Sequence, residues 1–214
     1  MGDGVEPSAA SAVGDAAVAN PADAAARLVK VVLLGPPGSG KGTQGVVLSK
    51  RLGVPAISTG EMLREAVTAK SELGLKVQDV MAAGSLVDDG TMAEVVRERL
   101  ARCGNGRGFL LDGYPRTIPQ AETLTRILGD TGNRLNAVLL VVVPEEELVR
   151  RAVARQRGED DREEVVRQRL RVYREKTAPL IGYYRGLGLL REIDGHLPVE
   201  KVTEQMLAAL GLPA

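Results

Sequence analysis

The sequence predicts a three-layer α/β fold in which a parallel five-stranded sheet is covered on both faces by helices. Three observations carry that prediction. Apolar, β-branched runs of strand length recur at residues 28–34, 108–113 and 137–143. Helical patterning separates them, and strands alternating with helices make right-handed parallel crossovers. Glycines and charged residues gather just past the end of each run, where open parallel sheets bind their ligands. The runs are apolar at nearly every position, as strands buried on both faces require.

Residues 1–27 precede the first strand and are rich in Ala, Gly, Ser and Val, with Asp3, Glu6, Asp15 and Asp23 and no basic residue before Arg27. A secretory signal needs a basic start and a compact apolar stretch, and a transit peptide needs arginines, so neither is expected. Gly4, Pro7, Gly14 and Pro21 interrupt every stretch long enough for a stable helix, and a disordered tail is expected here. Strand one then runs into Gly35-Pro36-Pro37-Gly38-Ser39-Gly40-Lys41-Gly42-Thr43-Gln44, followed by an apolar helical segment at residues 46–52. Strand, glycine-rich turn, lysine and helix in this order form a P-loop. The glycines let backbone N–H groups point at a phosphate, the helix end adds partial positive charge, and Lys41 faces the β and γ oxygens of a nucleotide. Gly42 stands where Ser or Thr usually follows the lysine, so Thr43 is the nearest hydroxyl for phosphate or a magnesium shell. Short strands at Ala56-Ile57 and at residues 189–193 complete the sheet.

Composition narrows the function classes. Lys plus Arg and Asp plus Glu both number 28 among 214 residues, so no global field points to nucleic acid or a membrane surface, and any anion site must be local. The single cysteine, Cys103, excludes an internal disulfide and a multi-thiolate zinc site, which fits a reducing compartment. No apolar run approaches the roughly 20 residues of a spanning helix, and a soluble protein is expected.

A P-loop alone does not name the acceptor. Its Gly40-Lys41-Gly42-Thr43-Gln44 ending resembles the adenylate kinase family. The resemblance continues in order through residues 57–64 (Ile-Ser-Thr-Gly-Glu-Met-Leu-Arg), residues 82–87 (Ala-Ala-Gly-Ser-Leu-Val), and residues 111–117 (Leu-Asp-Gly-Tyr-Pro-Arg-Thr) with Gln120. It extends from about Val29 to the C-terminus. It implies the core P-loop fold with a small helical insertion for the nucleoside monophosphate and a short lid. The implied division is a tail at 1–27, core at 28–57, 88–150 and 163–214, the monophosphate-binding segment at 58–87 and the lid at 151–162.

Phosphoryl transfer is accomplished mainly by alignment and by cations around the migrating charge. Arg64 and Arg116 are placed to hold the acceptor phosphate, and the resemblance implies that both clamp AMP. It implies further that Thr59, the Ser85-Leu86-Val87 backbone, Gly113 and Gln120 form the adenine pocket, with Tyr114 and Pro115 beside them. The Gln120 amide offers a donor and an acceptor to a purine edge. Relatives that prefer pyrimidines typically carry Asn at the place of Thr117, so Thr117 with Gln120 favours AMP. On the donor side the resemblance assigns ATP to Gly38, Ser39, Gly40, Lys41, Gly42 and Thr43, with Arg151 packed on its adenine and Leu197 in the turn beside it. Asp112, at the end of an apolar strand, is costly to bury without a cation, and by resemblance it organises Mg²⁺ through water near Thr43.

The segment from Pro144 to Arg174 reads as two helices around a short charged loop. Acidic residues open the first helix, and the repeated arginines exceed what local carboxylates balance, so they would gain from an anionic ligand. The resemblance places Arg155 on the ATP phosphates, Arg157 and Arg169 around the transferring group and the acceptor, and Asp160 and Asp161 as the lid's acidic pair. Two residues, Gly158 and Glu159, separate Arg157 from that pair where the family has one. The loop lacks the Cys/His/Asp set of zinc-bearing lids, so no zinc is expected. His196, the only histidine, falls in a turn. Together these expectations describe a cytoplasmic, monomeric adenylate kinase that uses Mg²⁺ to convert ATP and AMP reversibly to two ADP, with no nucleic acid or membrane partner. A kinase for UMP or CMP on the same fold, and a module that binds two nucleotides without turnover, are the alternatives.

Overall fold

A computed structural model describes residues 29–104, 107–154 and 162–213. The expected tail and the lid residues 155–161 lie outside that range. Five parallel strands form one sheet in the order β2-β3-β1-β4-β5, where β1 is Lys30–Leu34, β2 Ala56–Ser58, β3 Phe109–Asp112, β4 Ala137–Val142 and β5 Leu190–Asp194. The central strand is paired on both edges, Val32 sitting opposite Leu111 on one side and Val138 on the other.

Side chains along β1 alternate between two separate cores. Val31 and Leu33 pack with Leu48 and Leu52 of α1 (Lys41–Leu52), Val166 and Leu170 of α7 (Glu163–Val172), and Met206 of α9 (Val199–Ala209). Val32 and Leu34 pack on the opposite face with Val96 of α4 (Asp89–Arg102), Leu124 of α5 (Ile118–Gly129) and Leu180 of α8 (Pro179–Gly186). This is the physical meaning of the unbroken apolar runs: a period of two with a core at each phase. Each fully buried Leu or Val contributes on the order of 1.5–3 kcal/mol. Exposed ion pairs such as Arg167–Glu163 and Arg174–Glu145 contribute roughly 0–1 kcal/mol. The fold is therefore held by the two apolar layers.

Two helices, α2 (Thr59–Thr68) and α3 (Glu72–Ala82), are inserted after β2, and Ser58 and Ser71 accept from backbone N–H groups of their first turns. On the other side of the sheet, α6 (Glu145–Ala154) follows β4. The chain after α7 passes through a single π turn, Tyr173–Thr177, in which Ala178 N donates to Tyr173 O at 2.8 Å. That turn has no signature in the hydrophobic pattern. The expected helix at 46–52 begins earlier, at Lys41, so the lysine stands in the first helical turn.

Candidate nucleotide site at the carboxyl ends of the strands

A cavity of about 720 Å³ opens where β1, β2 and β3 end, beside the turn that follows β5. Its floor is the glycine-rich turn after β1. Gly38, at φ 84°, lies so close to α6 that a Cβ would fall 2.4 Å from the Leu148 carbonyl oxygen, which confines the position to glycine. Gly40 takes the left-handed conformation at the start of α1, and no side chain caps that helix. Its leading N–H groups are thus presented where an anion would sit, unlike those of α4 and α5, capped by Asp88 and Thr117. Lys41 Nζ donates to Pro36 O at 2.8 Å and reaches Ser39 Oγ at 3.4 Å, within the same turn. Asp112, at the end of β3, faces the turn: a Cβ on Gly42 would lie 3.8 Å from its Oδ2. Thr43 and Asp112 both line the cavity. One carboxylate with one hydroxyl suits a Mg²⁺ ion that keeps most of its water and takes its other ligands from phosphate. Among the described residues no group of three His, Cys, Asp or Glu side chains could hold a metal by itself.

A second, smaller cavity of about 60 Å³ adjoins the first, lined by Thr59, Ser85, Leu86, Val87 and Gln120. Arg64, Arg116 and Arg169 border both. Each of the three passes close to a glycine. A Cβ on Gly60 would meet Arg64 Nη1 at 3.3 Å, one on Gly84 the Cγ of Arg169 at 3.1 Å, and one on Gly113 the Nη2 of Arg116 at 3.3 Å. Three cationic side chains from α2, α7 and the turn after β3 therefore converge on one place, as the P-loop reading requires of an anion site. Gly38, Ser39, Gly40, Lys41, Gly42, Pro115, Arg151 and Leu197 line the large cavity, and Gly113 borders both.

Several expectations differ from what the structure contains. Tyr114 is only 1% exposed and lines neither cavity, because its side chain is taken up by the core with Leu111, Leu124 and Tyr184. Of the arginines around the lid, Arg150 and Arg151 of α6 share one carboxylate, both binding Glu147, at 2.7 and 2.5 Å, since spacings of three and four residues share a helix face. Those bonds hold the Glu147 carboxyl down at about 2, well below its ordinary 4.5. Arg151 Nη1 also donates to Gly195 O at 2.9 Å, tying α6 to the turn that carries His196 and Leu197. Gln120 is 2% exposed and its amide is engaged within the protein, accepting from Arg116 N and donating to Asp89 Oδ1, both at 2.7 Å. Arg155, Arg157, Asp160 and Asp161 lie outside the described residues. Sequence reasoning missed Tyr173 and Thr177, which line the large cavity from the π turn. It also missed Glu147 and Asp89 as partners of Arg151 and Gln120; the Thr-x-x-Gln spacing at 117–120 could have flagged Gln120 as a capping-box residue.

Comparison with known proteins identifies the family. A family model described as adenylate kinase matches residues 33–189. An adenylate kinase of Thermobifida fusca is 49% identical over 185 residues, covering 85% of this chain and 98% of the relative. One from Syntrophotalea carbinolica is 44% identical over 213 residues, covering 86% and 99%. One from Thermus thermophilus is 49% identical over 185 residues, covering 85% and 97%.

Proposed function

The chain belongs to the adenylate kinase family and is a phosphotransferase, and from that premise we propose how its residues move the γ-phosphoryl group of ATP onto AMP to give two ADP. The observation that carries the reading is the position of Arg64, Arg116 and Arg169 on the border of both cavities. A donor phosphate held by the turn at 35–43 and an acceptor phosphate held by Arg64 and Arg116 would then face each other across Arg169.

The ATP phosphates accept from the leading N–H groups of α1, and Lys41 exchanges its bond to Pro36 for one to a phosphate oxygen. Arg151, steadied by Glu147 and the Gly195 carbonyl, lies against the donor base, with Leu197 on the same side of the cavity. Thr59, Ser85, Leu86 and Val87 enclose the acceptor base, with Gln120 at its edge. Bringing both phosphates into line removes the entropic cost of meeting, and fixed cations stabilise charge spreading over the transferring oxygens. Thr43 and Asp112 would hold Mg²⁺ through water; the ion would supply positive charge to the donor phosphates. Excluding water from the transferring group requires the insertion at 58–87 and the lid at 151–162 to close over the nucleotides.

The single cysteine supports a reducing cytoplasm. Among the described residues no helix is long and apolar enough to cross a membrane. The test is ADP production from ATP and Mg²⁺ with AMP, UMP, CMP and GMP in parallel. The proposal expects AMP to be the best acceptor by at least about tenfold in kcat/KM. A preference for UMP or CMP would overturn the acceptor assignment, and no turnover with any of them would favour a binding module.

A further inference from the structure

Gln120 is read above as the side chain at the edge of the acceptor base, yet an amide is nearly symmetric in shape and could stand either way round. Which way it stands decides what the base meets. Two contacts decide it chemically. The backbone N–H of Arg116 can only donate, and it lies 2.7 Å from Oε1. The Asp89 carboxylate, when ionised, can only accept, and its Oδ1 lies 2.7 Å from Nε2. Exchanging oxygen and nitrogen would set donor against donor at one end and acceptor against acceptor at the other, both at 2.7 Å, around a side chain that is 2% exposed.

Helix capping explains one of these contacts and leaves the other over. Thr117 accepts from Gln120 N at 3.3 Å, and Gln120 Oε1 turns back in a variant of the capping box, accepting from Arg116 N one residue before the cap rather than from the cap's own N–H. Capping α5 makes no use of Nε2. That atom crosses to a different helix, where Asp89 opens α4 just after its cap Asp88. A carboxylate is favoured at that helix end, and the Thr117 hydroxyl also donates to it at 3.3 Å.

We infer that Asp89 is a positioning residue that fixes the Gln120 amide in one orientation, and so sets discrimination between 6-amino and 6-oxo purines at the acceptor site. The amide keeps a second N–H and a second carbonyl lone pair beside the small cavity. With the base seated so that its C6 substituent lies at the Oε1 end and N1 at the Nε2 end, the held amide accepts from an adenine 6-amino group and donates to N1. A 6-oxo purine such as that of IMP presents the reverse order and matches only the turned amide. The inference rests on the acceptor site proposed above.

The test compares kcat/KM for AMP and IMP in the intact chain, Asp89→Asn and Asp89→Glu, with ATP saturating. Asparagine can face Gln120 with either its oxygen or its nitrogen, so the orientation is held by Arg116 N–H alone. The ratio of AMP to IMP is expected to fall about tenfold, through KM for AMP, with kcat and KM for ATP unchanged. Asp89→Glu, which keeps an acceptor-only group, restores most of the ratio. Asp89 is exposed at a helix end, so the variant is expected to fold, and a thermal melt checks this. In a Gln120→Ala background the Asp89→Asn change should leave the ratio as it stands. A fall of less than threefold in the first comparison, parallel losses for both nucleotides, or an equal fall in the Gln120→Ala background overturns the positioning role. Absence of any AMP preference in the unaltered enzyme overturns the acceptor assignment instead.

Discussion

Arg116 donates from Nε to the carbonyl oxygen of Gly113 at 2.8 Å, which anchors a guanidinium bordering both cavities to the turn that follows β3. Lysine cannot reproduce both that bond and a planar fork toward phosphate. Arg116→Lys is therefore expected to raise KM for AMP and lower kcat/KM for AMP by about a hundredfold, with KM for ATP changed much less. Steady-state kinetics with each nucleotide varied in turn checks this, and an unchanged KM for AMP would remove Arg116 from the acceptor clamp.

Gly113 is itself constrained. Its φ is 84°, and a Cβ there would lie 2.6 Å from Thr59 Oγ1. Strained backbone and displacement of Thr59 act together, so Gly113→Ala is expected to cost about 1–3 kcal/mol of stability and to weaken AMP binding. Urea unfolding and AMP calorimetry measure the two effects separately. A variant as stable as the parent would show that the turn relaxes without cost.

Glu147 connects the electrostatics of α6 to the donor site. Its carboxyl sits at about 2 in the folded chain against an ordinary 4.5, so its stabilising contribution is complete above about pH 4.5 and is lost as pH falls toward 2. Glu147→Gln is expected to flatten that part of the acid unfolding curve and to raise KM for ATP severalfold by loosening Arg151. Carbon NMR of the Glu147 carboxyl that showed titration near 4.5 would contradict the pairing.

Much of this was legible before any coordinates. Continuous apolar runs at β1, β3 and β4 fixed a sheet buried on both faces, because only a period of two with both phases apolar produces them. The glycine-rich turn and its lysine are local in sequence and needed no tertiary information. Arg64, Arg116 and Arg169 were found by motif, while their meeting is a tertiary fact, since they come from α2, the turn after β3 and α7 and border both cavities together, which no local pattern reveals. The Asp89 to Gln120 bond spans 31 residues, and the π turn at Tyr173 is a backbone event inside an ordinary helical pattern. Tyr114 shows the limit of carrying a motif position over as a contact: its neighbours border the cavities while its own ring faces the core.

That ring offers a stability test. The Tyr114 hydroxyl is buried with no hydrogen-bond partner among the described residues, and burial, with Asp89 nearby, pushes its ionisation up to about 12. A raised value means a contribution that is complete below about pH 10 and lost as pH rises toward 12. Tyr114→Phe is expected to leave stability at neutral pH equal or higher by up to about 1–2 kcal/mol, and to soften alkaline unfolding. A loss greater than about 1 kcal/mol at neutral pH would mean that the hydroxyl makes a bond of its own.

Arg169 bears most directly on the claim that donor and acceptor cavities form one transfer site. Its stem rests on Gly84 and it borders both cavities, so its contribution belongs to the transferring group more than to either nucleotide alone. Single-turnover phosphoryl transfer from MgATP to AMP in Arg169→Ala is the decisive measurement. The expected result is a rate lowered by about a thousandfold, with dissociation constants for ATP and AMP each within about threefold of the parent. A rate within tenfold of the parent, or a loss wholly accounted for by weaker binding of one nucleotide, would contradict it.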